Sequence, residues 1–249
     1  MRDNVRAFVQ IAAESFELAG PVYEFGAYQV EGQEEIADLR PCFPGSRYVG
    51  CDMRAGPGVD RIEDLAGLSL PDDTAQTIVC VETLEHVFEA RRAMDEMIRV
   101  LAPGGVLLIS SPFDFRLHDY PSDYWRLTPS CLARLLAPCD ATLVGWQGPE
   151  SFPHTVLAIG CKAPAGARFG RAANRFIDGY QAWLRQAAAE VPWSIRLKNT
   201  LRGCVRGKGE RRRVSEQHEA GFALSLPDRQ NQAAAGHSGG IVRPLRIAG

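Results

Sequence analysis

The chain has 249 residues, of which 45% are hydrophobic and 23% are charged, so it can bury a core of ordinary size. No apolar run approaches about 20 residues, which argues against a transmembrane helix. The acidic, amphipathic N-terminus is unlike a signal peptide. The seven cysteines form no CxxC pair and no Cys/His ligand spacing, which predicts a reducing, cytoplasmic location, cysteines that act as small core residues, and no bound metal.

The net charge of −2 hides an uneven distribution of charge along the chain. Residues 1–161 carry 24 acidic and 12 basic side chains, whereas residues 162–249 carry 6 acidic and 16 basic ones. A contrast of this size suggests two segments with different partners.

Hydrophobic spacing predicts alternating helices and strands in the first two thirds of the chain. Expected helices cover residues 4–18, 33–39, 90–101 and 129–136, and expected strands cover residues 22–25, 47–51, 60–64, 78–81 and 106–109. Two late strands, at 141–146 and 155–161, flank a Gly/Pro turn region and are expected to form a hairpin. The pattern predicts an α/β fold with a doubly wound, mostly parallel sheet and a C-terminal antiparallel hairpin strand.

Residues 76–111 organise this sheet. They consist of a buried strand, an amphipathic helix and a second buried strand, which together form a βαβ unit with parallel strands. In an open parallel sheet, ligands bind beyond the carboxyl ends of the strands. Here those ends carry Glu82, Glu85 and His86 on one side and the loop 110–126 on the other.

The sequence changes in character beyond residue 163. Residues 164–206 are expected to form a basic helical appendage with amphipathic stretches around 169–184 and 193–205, and residues 207–249 are polar and are expected to be disordered. The appendage has three open interpretations. It could dock on the acidic core at 1–163, contact a membrane surface or lipid substrate, or bind nucleic acid, which the acidic core disfavours.

Several motifs between residues 21 and 161 resemble those of class I S-adenosylmethionine-dependent methyltransferases, more narrowly the group called methyltransferase type 11. They are E-x-G after the first strand, an acid ending the second, an acid–apolar pair after the third, and the segments LSLPDDTAQTIVCVETLEHV and RVLAPGGVLLIS. The resemblance implies a seven-stranded Rossmann-like sheet, S-adenosyl-L-methionine as cofactor, and methyl transfer to an oxygen or nitrogen of a small molecule. Because residues 27–30 lack the family's further glycines, a non-catalytic binding domain is the alternative.

Six residues are expected to contact the cofactor, and they are Glu24, Gly26, Asp52, Asp64, Leu65 and Glu82. Gly26 lets backbone approach a ligand, and Asp52 can accept hydrogen bonds from both ribose hydroxyls. The resemblance implies that Asp64 accepts from the adenine amino group and that Leu65 packs on the ring. Tyr28 is expected near the methionine part of the cofactor.

The loop 111–126 is the expected source of catalytic groups. It overhangs the crevice and is dense in aromatic and titratable side chains. Methyl transfer requires an acceptor that has lost its proton, and His118 and Tyr124 are the candidates for proton transfer. His86 is expected to stabilise the turn after the fourth strand rather than to react.

Overall fold

The computed structural model describes residues 2–32, 34–118, 122–190 and 219–227. Its helices are α1 (Asp3–Phe16), α2 (Glu34–Ala37), α3 (Ala90–Val100), α4 (Pro129–Leu135) and α5 (Arg168–Glu190). Its strands are β1 (Val22–Phe25), β2 (Tyr48–Asp52), β3 (Arg61–Ile62), β4 (Ala75–Val81), β5 (Leu101–Pro112), β6 (Ala141–Gln147), β7 (Thr155–Cys161) and β8 (Ala220–Ser225). Short 3₁₀ turns cover Arg40–Cys42 and Leu84–His86.

The eight strands form one sheet in the order β3-β2-β1-β4-β5-β7-β6-β8. All strand pairs within the set β1 to β5 are parallel. Strand β7 runs antiparallel to both β5 and β6. The α/β architecture with its late antiparallel hairpin is therefore confirmed. The structure adds an eighth strand to the seven expected, because β8 pairs antiparallel with β6.

The sheet is covered on both faces, and β4 shows how the sequence achieves this. Val79 and Val81 belong to the apolar cluster that contains α1 and α5. Ile78 and Cys80 belong to the cluster that contains α3 and α4. Successive strand residues point to opposite faces, so a continuous apolar run is what a doubly covered strand requires.

The expectation of disorder from residue 207 onward is wrong for Ala220–Ser225, which forms β8. Phe222 is buried, and its ring meets Phe176 at 5.4 Å and Tyr180 at 5.8 Å between centroids. A Cβ atom on Gly145 of β6 would lie 2.2 Å from the Phe222 ring, so this glycine makes room for it. The composition of this polar segment does not reveal that one aromatic residue packs into the core, which explains the error. Residues 207–218 and 228–249 lie outside the described residues.

Helix α5 packs along α1 through aromatic side chains. Phe176 meets Phe8 edge to face at 5.7 Å, and Phe169 meets Phe16 at 5.1 Å. Tyr180 is fully buried in the same cluster. The apolar face of this basic helix is thus covered by the N-terminal part of the chain, as the docking interpretation anticipates. The second helix expected at 193–205 lies outside the described residues, and the three-part division of the chain stays a prediction.

None of the helices within the described ranges has the length and apolar character needed to cross a bilayer.

Phe176→Ala is expected to lower the free energy of unfolding by about 3–5 kcal/mol, because the ring is fully buried and its removal leaves a cavity. Urea denaturation monitored by circular dichroism measures the change. Arg171→Ala, on the exposed side of α5, is the control and should cost less than about 0.5 kcal/mol. Equal stability of the two variants would contradict a structural role for the contact between α1 and α5.

Candidate functional site

The residues expected to contact the cofactor lie within or directly after β1, β2, β3 and β4. Gly26 follows β1, Asp52 ends β2, and Glu82 follows β4. The backbone N–H of Gly26 donates to the carbonyl of Cys51 at 2.9 Å, and that of Glu82 donates to the carbonyl of Ser110 at 3.0 Å. These two hydrogen bonds join the first residue after β1 to β2 and the first residue after β4 to β5.

Position 26 requires glycine because of its backbone conformation and because the Thr83 side chain lies so close. Its φ of +87° is in the left-handed region, and a Cβ atom would lie 2.1 Å from Thr83 Oγ1. Thr83 Oγ1 is in turn within hydrogen-bond distance of the carbonyls of Val81 (2.9 Å) and Phe25 (3.3 Å). The glycine therefore lets Thr83 join the ends of β1 and β4.

Asp52 has acceptor capacity left for a ligand. Its Oδ1 accepts from the backbone N–H of Arg54 at 3.1 Å, and its Oδ2 accepts from that of Tyr28 at 3.4 Å. An ionised carboxylate offers about four acceptor positions, so each oxygen retains one. Arg54 Nε also lies 3.7 Å from Oδ1. Two remaining acceptor positions on one carboxylate equal the number of hydroxyls on a ribose ring, and the cofactor contact expected of Asp52 stays a prediction.

The Tyr28 ring lies at the connection between β2 and β3. The Arg54 guanidinium stacks over it at 4.5 Å from the ring centroid, and a Cβ atom on Gly56 would lie 2.3 Å from the ring. The sequence expectation placed this ring near the methionine part of the cofactor. Cation–π attraction and the space left by Gly56 hold the ring against Arg54, and its expected proximity to the cofactor stays a prediction.

Glu24 is directed at the sheet interior. It is buried, and its Oε2 accepts from the Tyr48 hydroxyl at 2.8 Å. Burial raises its pKa to about 7, although the Tyr48 hydrogen bond opposes the shift. This arrangement indicates that Glu24 supports the β1–β2 pair, and its expected contact with the cofactor stays a prediction.

Asp64 and Leu65 follow β3 with different exposure. The Asp64 side chain is exposed, and its Oδ1 accepts from the backbone N–H of Ala66 at 2.9 Å. Leu65 is buried in the apolar cluster with α3. A carboxylate at the surface beside an apolar side chain is compatible with binding a polar ring edge. Within the described part of the chain, neither Asp64 nor Leu65 forms a hydrogen bond with Asp52.

Glu82 has a basic partner that the sequence analysis did not identify. Arg2 Nε and Nη2 donate to its carboxylate at 3.1 Å and 2.9 Å, and Ser110 Oγ donates to it at 3.3 Å. The Arg2 guanidinium also lies 5.5 Å from the centroid of the Phe115 ring. Glu82 adopts a φ of +51°, which is uncommon outside glycine and recurs at functional sites. The N-terminus thus contributes a charge to the crevice, from 80 residues away in sequence.

His118 is oriented by an ion pair within its own loop. Its Nδ1 lies 3.1 Å from Asp123 Oδ2, and Arg126 Nη2 donates to the same oxygen at 2.7 Å. The Arg126 hydrogen bonds hold the pKa of Asp123 far below its usual range, so this carboxylate stays ionised. An ionised carboxylate only accepts, which makes Nδ1 the donor, so the neutral form of this imidazole has its lone pair on Nε2.

His86 is held in the same tautomer as His118, but by a different hydrogen-bond partner. Its Nδ1 lies 2.6 Å from the backbone carbonyl of Ser122, which can only accept, so Nε2 again carries the lone pair. The two imidazole centroids are 4.8 Å apart. Next to them, Glu85 is fully buried, and its pKa is raised well above the usual range by burial and then by Glu82. The sequence places Glu85 at the end of a strand but gives no sign of a role for it in the site.

Four exposed aromatic rings lie on the same two segments as the histidine pair. Together they form what we call the aromatic rim, which consists of Phe88, Phe115, Tyr124 and Trp125. Phe88 packs against Tyr124 at 5.3 Å, and Phe115 meets His118 at 5.0 Å. The backbone N–H of Tyr124 donates to the carbonyl of Glu85 at 2.8 Å, which joins the loop to the end of β4. Exposed rings in this concentration are typical of a surface that binds an apolar ligand.

Comparisons with known proteins agree on one family. The family described as "Methyltransferase domain" matches residues 45–109. A probable S-adenosylmethionine-dependent methyltransferase of Mycolicibacterium smegmatis is 37% identical over 186 residues, which cover 71% of this chain and 68% of that protein.

Comparison with solved structures finds matches at low sequence identity. A SAM-dependent methyltransferase from Archaeoglobus fulgidus is 16% identical with a TM-score of 0.50, and the match covers 65% of this chain and 95% of that one. The CurJ carbon methyltransferase is 15% identical with a TM-score of 0.49, and the match covers 64% of this chain and 54% of that one.

Glu24→Gln is expected to become progressively more stable than the unmodified protein as the pH rises from 4.5 to above 7. The folded protein retains the Glu24 proton in this range because burial raises the pKa to about 7, whereas the unfolded chain loses it near 4.5. Stability from this group is therefore complete below pH 4.5 and is lost as the pH rises through 7, which amounts to about 3 kcal/mol. Urea denaturation of both proteins at a series of pH values measures the difference, and a difference independent of pH would contradict the assignment.

Proposed function

We propose that this chain, which belongs to the S-adenosylmethionine-dependent methyltransferases, transfers a methyl group to an oxygen or nitrogen atom of a small molecule. It is an enzyme, and S-adenosyl-L-methionine is its cofactor, which supplies a methyl group bound to a positively charged sulfur. The observation that carries the proposal about the acceptor is the position of two imidazoles with available Nε2 atoms beside the aromatic rim.

We assign the cofactor to the carboxyl ends of β1 to β4. Asp52 accepts from the ribose through its remaining acceptor positions. Asp64 meets the adenine amino group at the surface, with Leu65 contributing its backbone or the exposed edge of its side chain. Gly26 acts indirectly, through Thr83.

Arg2 and Glu82 suit the amino-acid part of the cofactor. An ammonium group is attracted by the Glu82 carboxylate, and a carboxylate by the Arg2 guanidinium, which forms a hydrogen-bonded pair with Glu82. The pair reduces the negative charge at the end of β4. We infer that the site recognises a zwitterion rather than an isolated cation.

The acceptor is assigned to the aromatic rim. Its ring or chain would pack on Phe88, Phe115 and Trp125, which are exposed. Hydroxyl and amine acceptors must lose a proton for the transfer to be completed, and His118 and Tyr124 are the side chains that we assign to that step. His118 is held in one tautomer by Asp123, which is the arrangement of a base with a fixed orientation.

Two further parts of the proposal concern location and partners. The six cysteines in the described ranges are free thiols, which supports a reducing compartment such as the cytoplasm. A lipid or membrane-bound acceptor is less well supported, because the apolar face of α5 packs on α1. A nucleic-acid acceptor has no support from the acidic N-terminal part of the chain.

Asp52→Ala is expected to weaken binding of S-adenosylhomocysteine by about 2–3 kcal/mol, because it removes charge-assisted hydrogen bonds to two hydroxyls. Isothermal titration calorimetry on the folded variant measures the loss. Asp95→Ala, on the exposed side of α3, is the control and should bind like the unmodified protein. Unchanged affinity in Asp52→Ala would remove this residue from the cofactor site.

Incubation with methyl-labelled S-adenosylmethionine and a set of phenols, aryl amines and carbon acids tests the acceptor class. We expect methyl ethers or N-methyl amines, identified by mass spectrometry and by the chemical shift of the labelled methyl group. Products labelled only on carbon would overturn the proposal of an oxygen or nitrogen acceptor, and would leave the family membership untouched.

A further inference from the structure

We propose that Glu85, His86 and His118 form a binding site for one divalent transition-metal ion. The site lies at the end of β4 beside the aromatic rim, so coordination positions not used by the protein face the region assigned to the acceptor. The assignment of those open positions rests on the proposed function. Metal binding by the three side chains does not, because it follows from their geometry alone.

The three side chains converge on a common point. One ligand atom from each lies within 4.8 Å of the other two. His86 Nε2 and Glu85 Oε1 are 3.8 Å apart, which is too long for a hydrogen bond. Bonds of about 2.0–2.2 Å from an ion to nitrogen and oxygen ligands require these atoms to be about 3–4 Å apart. Side-chain rotations that move each ligand atom by less than about 1 Å would therefore bring all three atoms into coordination distance.

Both imidazoles already make the second hydrogen bond that is typical of metal-bound histidines. The Nδ1 atom of His86 faces the Ser122 carbonyl at 2.6 Å, and that of His118 faces Asp123 at 3.1 Å. Metal-bound histidines almost always donate their other N–H to a carbonyl or carboxylate in this way. Arg126 in turn fixes Asp123 through two hydrogen bonds, so the supporting residues are ordered as well.

Glu85 supplies an independent indication of a missing partner. Its side chain is fully buried, and its Oε1 accepts no hydrogen bond within the described part of the chain. Its Oε2 has only a long contact of 3.4 Å with Ser111 Oγ. A buried carboxyl oxygen that accepts no hydrogen bond is costly, and a cation at the point where the three side chains converge would satisfy this oxygen.

The donor set indicates the class of ion. Two imidazoles and one carboxylate suit Zn²⁺, Fe²⁺, Co²⁺ or Mn²⁺, whereas Mg²⁺ and Ca²⁺ prefer oxygen ligands alone. Three protein ligands leave positions open for water or for a hydroxyl group of the acceptor. A bound cation lowers the pKa of such a hydroxyl, whose proton passes to solvent. His118 would then be a ligand, and its Nε2 would not serve as the base.

Cobalt binding to the full-length protein tests the site. The protein is treated with EDTA, dialysed, and titrated with Co²⁺ while its visible absorption is recorded, with Zn²⁺ titrations by calorimetry in parallel. We expect one equivalent of either ion to bind. His118→Ala and Glu85→Gln should weaken binding at least about 100-fold, and Asp123→Asn about 10- to 100-fold. His154→Gln, a histidine outside the cluster, is the matched control and should retain full affinity.

Two results would overturn the site. They are the absence of stoichiometric Co²⁺ and Zn²⁺ binding, and equal affinity in His118→Ala, which would place the ion elsewhere. His118 lies on a partly exposed loop, so this variant is informative even if Glu85→Gln does not fold. S-adenosylhomocysteine binding by the metal-free protein separates the two proposals. Cofactor binding and heteroatom methylation without metal binding would reject the metal site alone, whereas metal binding without methylated oxygen or nitrogen would reject only the proposed function.

Discussion

The architecture depends on the burial of β4 on both faces. Its apolar side chains alternate between the cluster under α1 and α5 and the cluster under α3 and α4. A strand in this position needs covering layers on both sides, which is the condition for a doubly wound sheet. The polar residues that would be costly inside the sheet then follow directly after its carboxyl end. The candidate site is therefore a consequence of where the apolar run stops.

The chain leaves β4 by an unusual route, and several site features follow from it. Glu82 takes a positive φ, and Thr83 connects to β1 over Gly26. The 3₁₀ turn Leu84–His86 then buries Glu85 and leaves His86 only partly covered. A residue with an extended or helical backbone at position 82 would direct these side chains elsewhere. The short segment from 82 to 86 thus connects the proposed cofactor region with the histidine pair.

Charge pairing across the fold explains how an acidic crevice is tolerated. Arg2 meets Glu82, and Arg126 meets Asp123. Each arginine also donates to a backbone carbonyl. Arg2 donates to that of His154, and Arg126 donates to that of Phe115. Glu85 Oε1 accepts no hydrogen bond from the described residues. It is the exception that leads to the proposed metal site.

Much of the fold and part of the site follow from local patterns in the sequence. Apolar periods of two and 3.6 residues predicted the central βαβ unit and the late hairpin, and their order along the chain carried the family resemblance. The position of Asp52 at the end of its strand was predictable for the same reason, since strand ends are local features. A helix with a basic rim and an apolar face was also visible from spacing alone.

What only the tertiary structure decided involves partners far apart in the chain. Phe222 is stabilised by α5 and by the space that Gly145 leaves, and composition cannot reveal either contact. Arg2 reaches Glu82 across 80 residues. His118 meets His86 because the loop after β5 folds back through the backbone bonds of Tyr124 to Glu85. Short-range periodicity determines elements, whereas a site assembled from separate loops depends on how those elements pack, and one sequence carries no direct record of that packing.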